Sequence, residues 1–167
     1  MTMSARRLIE RFVDEVLNGT SVEALDALFH PSYLDHEPLS GRSSGGVDDL
    51  RLLVSFLALA TTDIRFTLED VFESEQRAAY RIFGEGPGSV DEFSKLVAHR
   101  QMPDARFDAL RRSPTQMGLP LRSLPTGILH YSYSSTGIFI ERGGKFQERW
   151  GRAFLFATPV NPPPHNS

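Results

Sequence analysis

The sequence contains no cysteine, which excludes disulfides, thiolate metal sites and a cysteine nucleophile, since each needs the sulfur. It also lacks any apolar run near the roughly 20 residues of a membrane span. The longest such stretch, around residues 52 to 60, is interrupted by Ser55 and is of helix size. An excess of one charge is missing as well, with 18 Lys and Arg against 21 Asp and Glu and a formal net charge of −3. The basic residues are scattered, so the footprint that neutralises many phosphates is absent, and neither nucleic acid nor a membrane is an expected partner. The N-terminus has no signal-peptide apolar run, which predicts a cytoplasmic protein. His30, His36, His99 and His130 show no i, i+4 spacing, so no metal is expected. Gly84-Glu85-Gly86-Pro87-Gly88 lacks both the GxGxxG spacing and the lysine of a phosphate loop and reads as a permissive turn. Asn18-Gly19-Thr20 matches a glycosylation acceptor but reads better as a helix stop.

What is present suits a folded domain: 167 residues, 40% hydrophobic and 23% charged, enough for one core. Leu8, Ile9, Phe12, Val13, Val16 and Leu17 recur at helical spacing, which predicts a helix over 4 to 17 ended by a left-handed residue at Asn18-Gly19. Thr20 and Glu23 form a capping box for a short second helix that stops before Pro31. Asp48 and Asp49 open a third helix carrying Leu50, Leu53, Phe56 and Leu57 and ending near Ala60. Ile64, Phe66 and Leu68 then alternate with Arg65, Thr67 and Glu69 as in a half-buried strand, and residues 77 to 83 supply its hairpin partner. Ser89 and Glu92 cap an amphipathic segment, so residues 88 to 116 read as a helical insertion between strands. Two last strands, 128 to 141 and 145 to 157, are joined at Arg142-Gly143-Gly144. Residues 1 to 157 thus form one domain, and 158 to 167, rich in proline, a flexible tail. Helices followed by a strand meander predict an α+β fold with three N-terminal helices packed on one face of a curved, mainly antiparallel sheet.

The run Arg7 to Leu17, the Asn-Gly stop, and His30-Pro31-Ser32-Tyr33-Leu34-Asp35-His36-Glu37-Pro38 resemble the opening of SnoaL-like polyketide cyclases of the nuclear transport factor two-like superfamily. Pro125-Thr126-Gly127, Gly137-Ile138-Phe139-Ile140, Gly143-Gly144-Lys145 and Glu148-Arg149-Trp150 follow that family's closing strands in order. The resemblance implies a cone-shaped domain with a cavity at its open end, cofactor-free acid/base chemistry, and a homodimer. It also implies that the cyclase acid falls on Gly151, and that the glutamine and histidine lining the cyclase pocket fall on Ser135 and Gly137. All three are replaced by small residues.

Proton transfer must then come from elsewhere. His36, beside Asp35 and Glu37, is a candidate base at neutral pH, with a structural role as the alternative. Adjacent strand residues point to opposite faces, so Asp35 and His36 share the cavity only if the chain bends. If position 151 points inward, period two brings Arg149, Gly151 and Ala153 together with Tyr131, Tyr133 and Ser135. A phenol can donate to a developing oxyanion, and an arginine can bind an acidic or carbonyl oxygen. A slip of one residue brings His130, Ser132, Glu148 and Trp150 instead, so Trp150 is kept as a candidate substrate contact. His99 and Arg100 on the insertion either close over the pocket or are surface charge at a helix end. The resulting expectation is a cofactor-independent cyclase, isomerase or lyase acting on a hydrophobic, polyketide- or terpenoid-like metabolite. His36, Tyr131, Tyr133 and Arg149 are its candidate catalytic groups. The alternatives are a non-catalytic small-molecule-binding protein and a cone used for partner assembly.

Overall fold

The computed structural model of the chain describes residues 3–38, 43–60, 63–89 and 128–159. Helix α1, Ala5–Arg11, begins where the Ser4 hydroxyl accepts the Arg7 N–H, and it buries Ala5, Leu8 and Ile9. It continues directly into a π-helical stretch, Phe12–Asn18, that turns Phe12, Val13, Val16 and Leu17 into the core. The left-handed residue at its end is Thr20, with φ 49°, whereas Gly19 is right-handed at φ −83°. Glycine is needed at 19 for space, because a Cβ there would lie 2.5 Å from the Glu15 carbonyl oxygen. With Thr20 in the turn, the expected Thr20–Glu23 capping box does not form, and the cap falls one residue later. Ser21 caps α2, Val22–Leu28, by accepting the Ala24 N–H.

Strand β1, Phe29–Asp35, precedes helix α3, Val47–Ala60, and four further strands follow: β2, Arg65–Ser74; β3, Arg77–Ser89; β4, Ile128–Arg142; and β5, Lys145–Pro159. They form one sheet in the order β1-β5-β4-β3-β2. Strand β1 runs parallel to β5, and every other pair is antiparallel. This is the α+β architecture the sequence predicts, with strand limits that differ for physical reasons. Strand β2 does not stop at Glu69, because a bulge between Leu68 and Asp70 resets the alternation and keeps Phe66 and Val71 both buried. Residues 84 to 88 are not a turn, since β3 runs through them and pairs with β4 as far as Ser89 opposite Ile128. Gly88 and Ser89 of the anticipated insertion are therefore strand, and the rest of it lies outside the described residues. Thr158 and Pro159 likewise belong to β5, and the remainder of the anticipated tail is also outside them.

Helices pack on the inner face of the sheet. Phe139 stacks on Phe146 at 4.1 Å and on Tyr80 at 5.0 Å, and meets Phe12 and Phe29 edge-on. No helix among the described residues is long and apolar enough to cross a membrane.

Candidate active site on the inner face of the sheet

Alternation along the strands decides which polar groups meet. Phe139, Arg149 and Asp35 are neighbours across β4, β5 and β1 and all three are buried. The Arg149 guanidinium donates through Nη1 to both Asp35 carboxylate oxygens, at 2.9 and 3.0 Å, and to the Glu37 carbonyl at 3.2 Å. Its Nε donates to the Tyr80 hydroxyl at 2.6 Å and its Nη2 to the Ser135 hydroxyl at 3.1 Å. Tyr80 and Ser135 are themselves paired at 3.1 Å. To reach them the arginine passes the cross-strand pair Gly137 and Gly151. A Cβ on Gly137 would stand 3.2 Å from the Tyr80 hydroxyl, and one on Gly151 only 2.3 Å from the Thr136 carbonyl oxygen. The two glycines let β4 and β5 close tightly and leave room for the phenol.

Electrostatics follow from burial. Desolvation pushes the Asp35 carboxyl above its ordinary range, against the pull of Arg149, and Asp49 in the first turn of α3 adds to the push. Burial also opposes the charge of Arg149, but Tyr80, Asp35 and Tyr133 hold it above its ordinary value, so it stays cationic. Removing either partner of such a buried pair typically costs about 3–5 kcal/mol. Burial pushes the Tyr131 and Tyr133 phenols up to about 12, which keeps both as donors at neutral pH. Tyr33 is held well above the ordinary phenol value, first by burial and then by the Asp35 charge. All four tyrosines of the chain therefore lie buried on this face.

The family model for SnoaL-like polyketide cyclases matches residues 7–108. This chain belongs to that family. Solved structures with the same fold include TsrD from Streptomyces laurentii, at 20% identity and a TM-score of 0.58, with 89% of this chain and 86% of that one covered. A SnoaL-like polyketide cyclase from Agrobacterium tumefaciens is 15% identical with a TM-score of 0.53, covering 91% of this chain and 92% of its own. IdmH from Streptomyces antibioticus, a proposed polyketide cyclase, is 14% identical with a TM-score of 0.57, covering 87% and 88%. No curated relative matches the sequence.

Within this SnoaL-like fold, Tyr131, Tyr133, Ser135, Gly151 and Arg149 share the inner face, in the register that period two favours, and Asp35 joins them. His36 and Trp150 do not. Asp35 turns inward, so its neighbour His36 turns outward, stacks on Trp150 at 3.5 Å and meets Glu148 at 3.3 Å. The placement of His36 in the cavity and of Trp150 as a substrate contact is thereby corrected by the alternation of β1 and β5. His130 is exposed on the same outer side, and His99 lies outside the described residues. Arg149 also differs from the expected free anion binder, since its donors are committed to protein groups. Tyr80 and Tyr33 were not anticipated; one aromatic at an inward strand position has the same pattern as core, and only the hydroxyl environment sets these two apart.

Proposed function

We propose that the protein is a cofactor-independent acid/base enzyme acting on a hydrophobic ketone-bearing metabolite, of the cyclase, isomerase or lyase type. The observation that carries this reading is the buried Asp35–Arg149–Tyr80–Ser135 network beside the protonated phenols of Tyr131 and Tyr133. Asp35 takes the role that the resemblance assigns to the residue at position 151. As a desolvated carboxylate it is a stronger base than an exposed one. It removes a proton from the carbon next to the substrate carbonyl, and a Tyr131 or Tyr133 hydroxyl donates to the oxygen on which negative charge develops. The proton is returned from Asp35 when the new bond has formed. The test is exchange of the α-protons of 2-tetralone in D2O, followed by NMR. Exchange above the buffer rate is expected, with Tyr133→Phe lowering it by about 10²- to 10³-fold, the scale of a single oxyanion donor. Wild-type exchange no faster than buffer would reject catalysis and favour the non-catalytic binding protein.

A homodimer is the second part of this proposal. Phe72, Ile138 and Trp150 are 69%, 43% and 52% exposed and lie in one row across the outer face, linked by the pairings Phe72–Ala79, Ala79–Ile138 and Ile138–Trp150. An exposed apolar row of this kind favours a protein partner.

A further inference from the structure

Tyr33 stands two residues before Asp35 on β1 and is 3% exposed, yet among the described residues its hydroxyl has no hydrogen-bond partner. The neighbouring polar groups bond one another instead. Arg149 spends its donors on Asp35, the Glu37 carbonyl, Tyr80 and Ser135, and the Asp35 Oδ1 takes the Glu37 N–H besides. The ring of Tyr33 lies edge-on to Phe29 at 4.8 Å and tilted against Phe139 at 6.5 Å. Phe139 also carries Tyr80 on its face, so both phenols share one aromatic wall beside the ion pair. Buried hydroxyls are seldom left unpaired in folded proteins, and an exception of this kind calls for a ligand or an equivalent explanation.

We infer that Tyr33 is the donor that orients the ligand on the inner face, and that the group it binds is a neutral oxygen, ketone or phenol, carried on a flat apolar ring system. This rests on the reading of the inner face as a small-molecule site. The neutral oxygen follows from charge. Arg149 is already matched by Asp35, and Asp49 adds negative charge nearby, so a carboxylate would meet repulsion with no uncommitted cation among these groups. A donor is what a neutral oxygen needs, and the Tyr33 phenol keeps its proton far above neutral pH.

The experiment measures binding of 2-naphthol and of 2-naphthoate by calorimetry, together with thermal unfolding, for wild type and Tyr33→Phe. Wild type is expected to bind 2-naphthol at least about tenfold more tightly than 2-naphthoate. Tyr33→Phe should weaken 2-naphthol by about tenfold, the scale of one hydrogen bond, while Tm stays equal or rises because the lost hydroxyl had no partner. The inference is overturned if wild type does not bind 2-naphthol or prefers 2-naphthoate. It is equally overturned if Tyr33→Phe binds 2-naphthol as wild type does, or if its Tm falls by several degrees. Loss of 2-tetralone exchange with Tyr33-dependent naphthol binding intact removes only the proposed catalysis. Exchange that persists with Tyr33-independent binding removes only the role of Tyr33.

Discussion

Among the described glycines, Gly151 leaves the least room for a side chain. A Cβ built on it lies 2.3 Å from the Thr136 carbonyl oxygen and 2.4 Å from the Gly137 Cα, and both of those are backbone, so the strands themselves would have to separate. Gly151→Asp, which restores the cyclase acid in name, should therefore lower stability by about 3 kcal/mol or more and yield no cyclase-type activity. Thermal unfolding by circular dichroism checks the first point. Gly143→Asn is the control: its φ of +64° suits asparagine and nothing lies within 4 Å, so its Tm should stay within a few degrees of wild type. At this scale the inward set of Tyr131, Tyr133, Ser135 and Arg149 was legible from period two once position 151 was taken to face inward. The base was not. His36 was favoured as an imidazole between two carboxylates in sequence, whereas the alternation that turns Asp35 inward sends His36 out to Trp150. Tyr33 and Tyr80 could not be told from core, because hydrogen-bond satisfaction is a property of the packed state.

Elements are joined here by a few polar clamps. The Asn18 side chain donates to the Phe66 carbonyl at 2.9 Å and accepts the Phe66 N–H at 2.8 Å, so the end of the π-helical stretch serves as a hydrogen-bonding neighbour to edge strand β2. Asn18→Ala should cost about 1–3 kcal/mol, since it strips two bonds from a partly buried backbone. Urea unfolding would show this as a lower midpoint at unchanged m-value. The sequence predicts the helix and its stop, but read Asn18 as a terminator only; its bond to a strand 48 residues away leaves no local trace. Strand β2 was curtailed for a related reason. Its bulge after Leu68 breaks strict alternation, and the pattern of Val71 and Phe72 then falls on the opposite parity. The glycines of β3 look like a turn in one dimension. In the sheet, Gly84 leaves space for the Phe66 ring, which would lie 2.5 Å from a Cβ there.

For the molecule as a whole, the outer face is the part left uncovered. The His36 ring is stacked on Trp150, which holds the indole in one orientation before any partner arrives and so reduces the entropy lost on association. In the proposed homodimer, Trp150→Glu should raise the dissociation constant by about thirtyfold or more, the scale of an interfacial anchor residue. Sedimentation velocity would show a shift from dimer to monomer. A wild-type protein that sediments as a monomer at every accessible concentration would reject the homodimer.

The pairing of β1 with β5 also governs the order in which the protein can be made. Among the described strands, β1 has β5 as its one sheet neighbour, and Asp35 meets its countercharge 114 residues further along the chain. At about 5–20 residues per second of synthesis, β1 waits on the order of ten seconds outside the ribosome before Lys145–Pro159 emerges to receive it. During that interval Phe29 and Tyr33, buried in the folded protein, have no finished sheet to cover them. A chain ended before β5 therefore has a β1 without its sheet partner and an Asp35 without its countercharge, not a shorter version of the same fold.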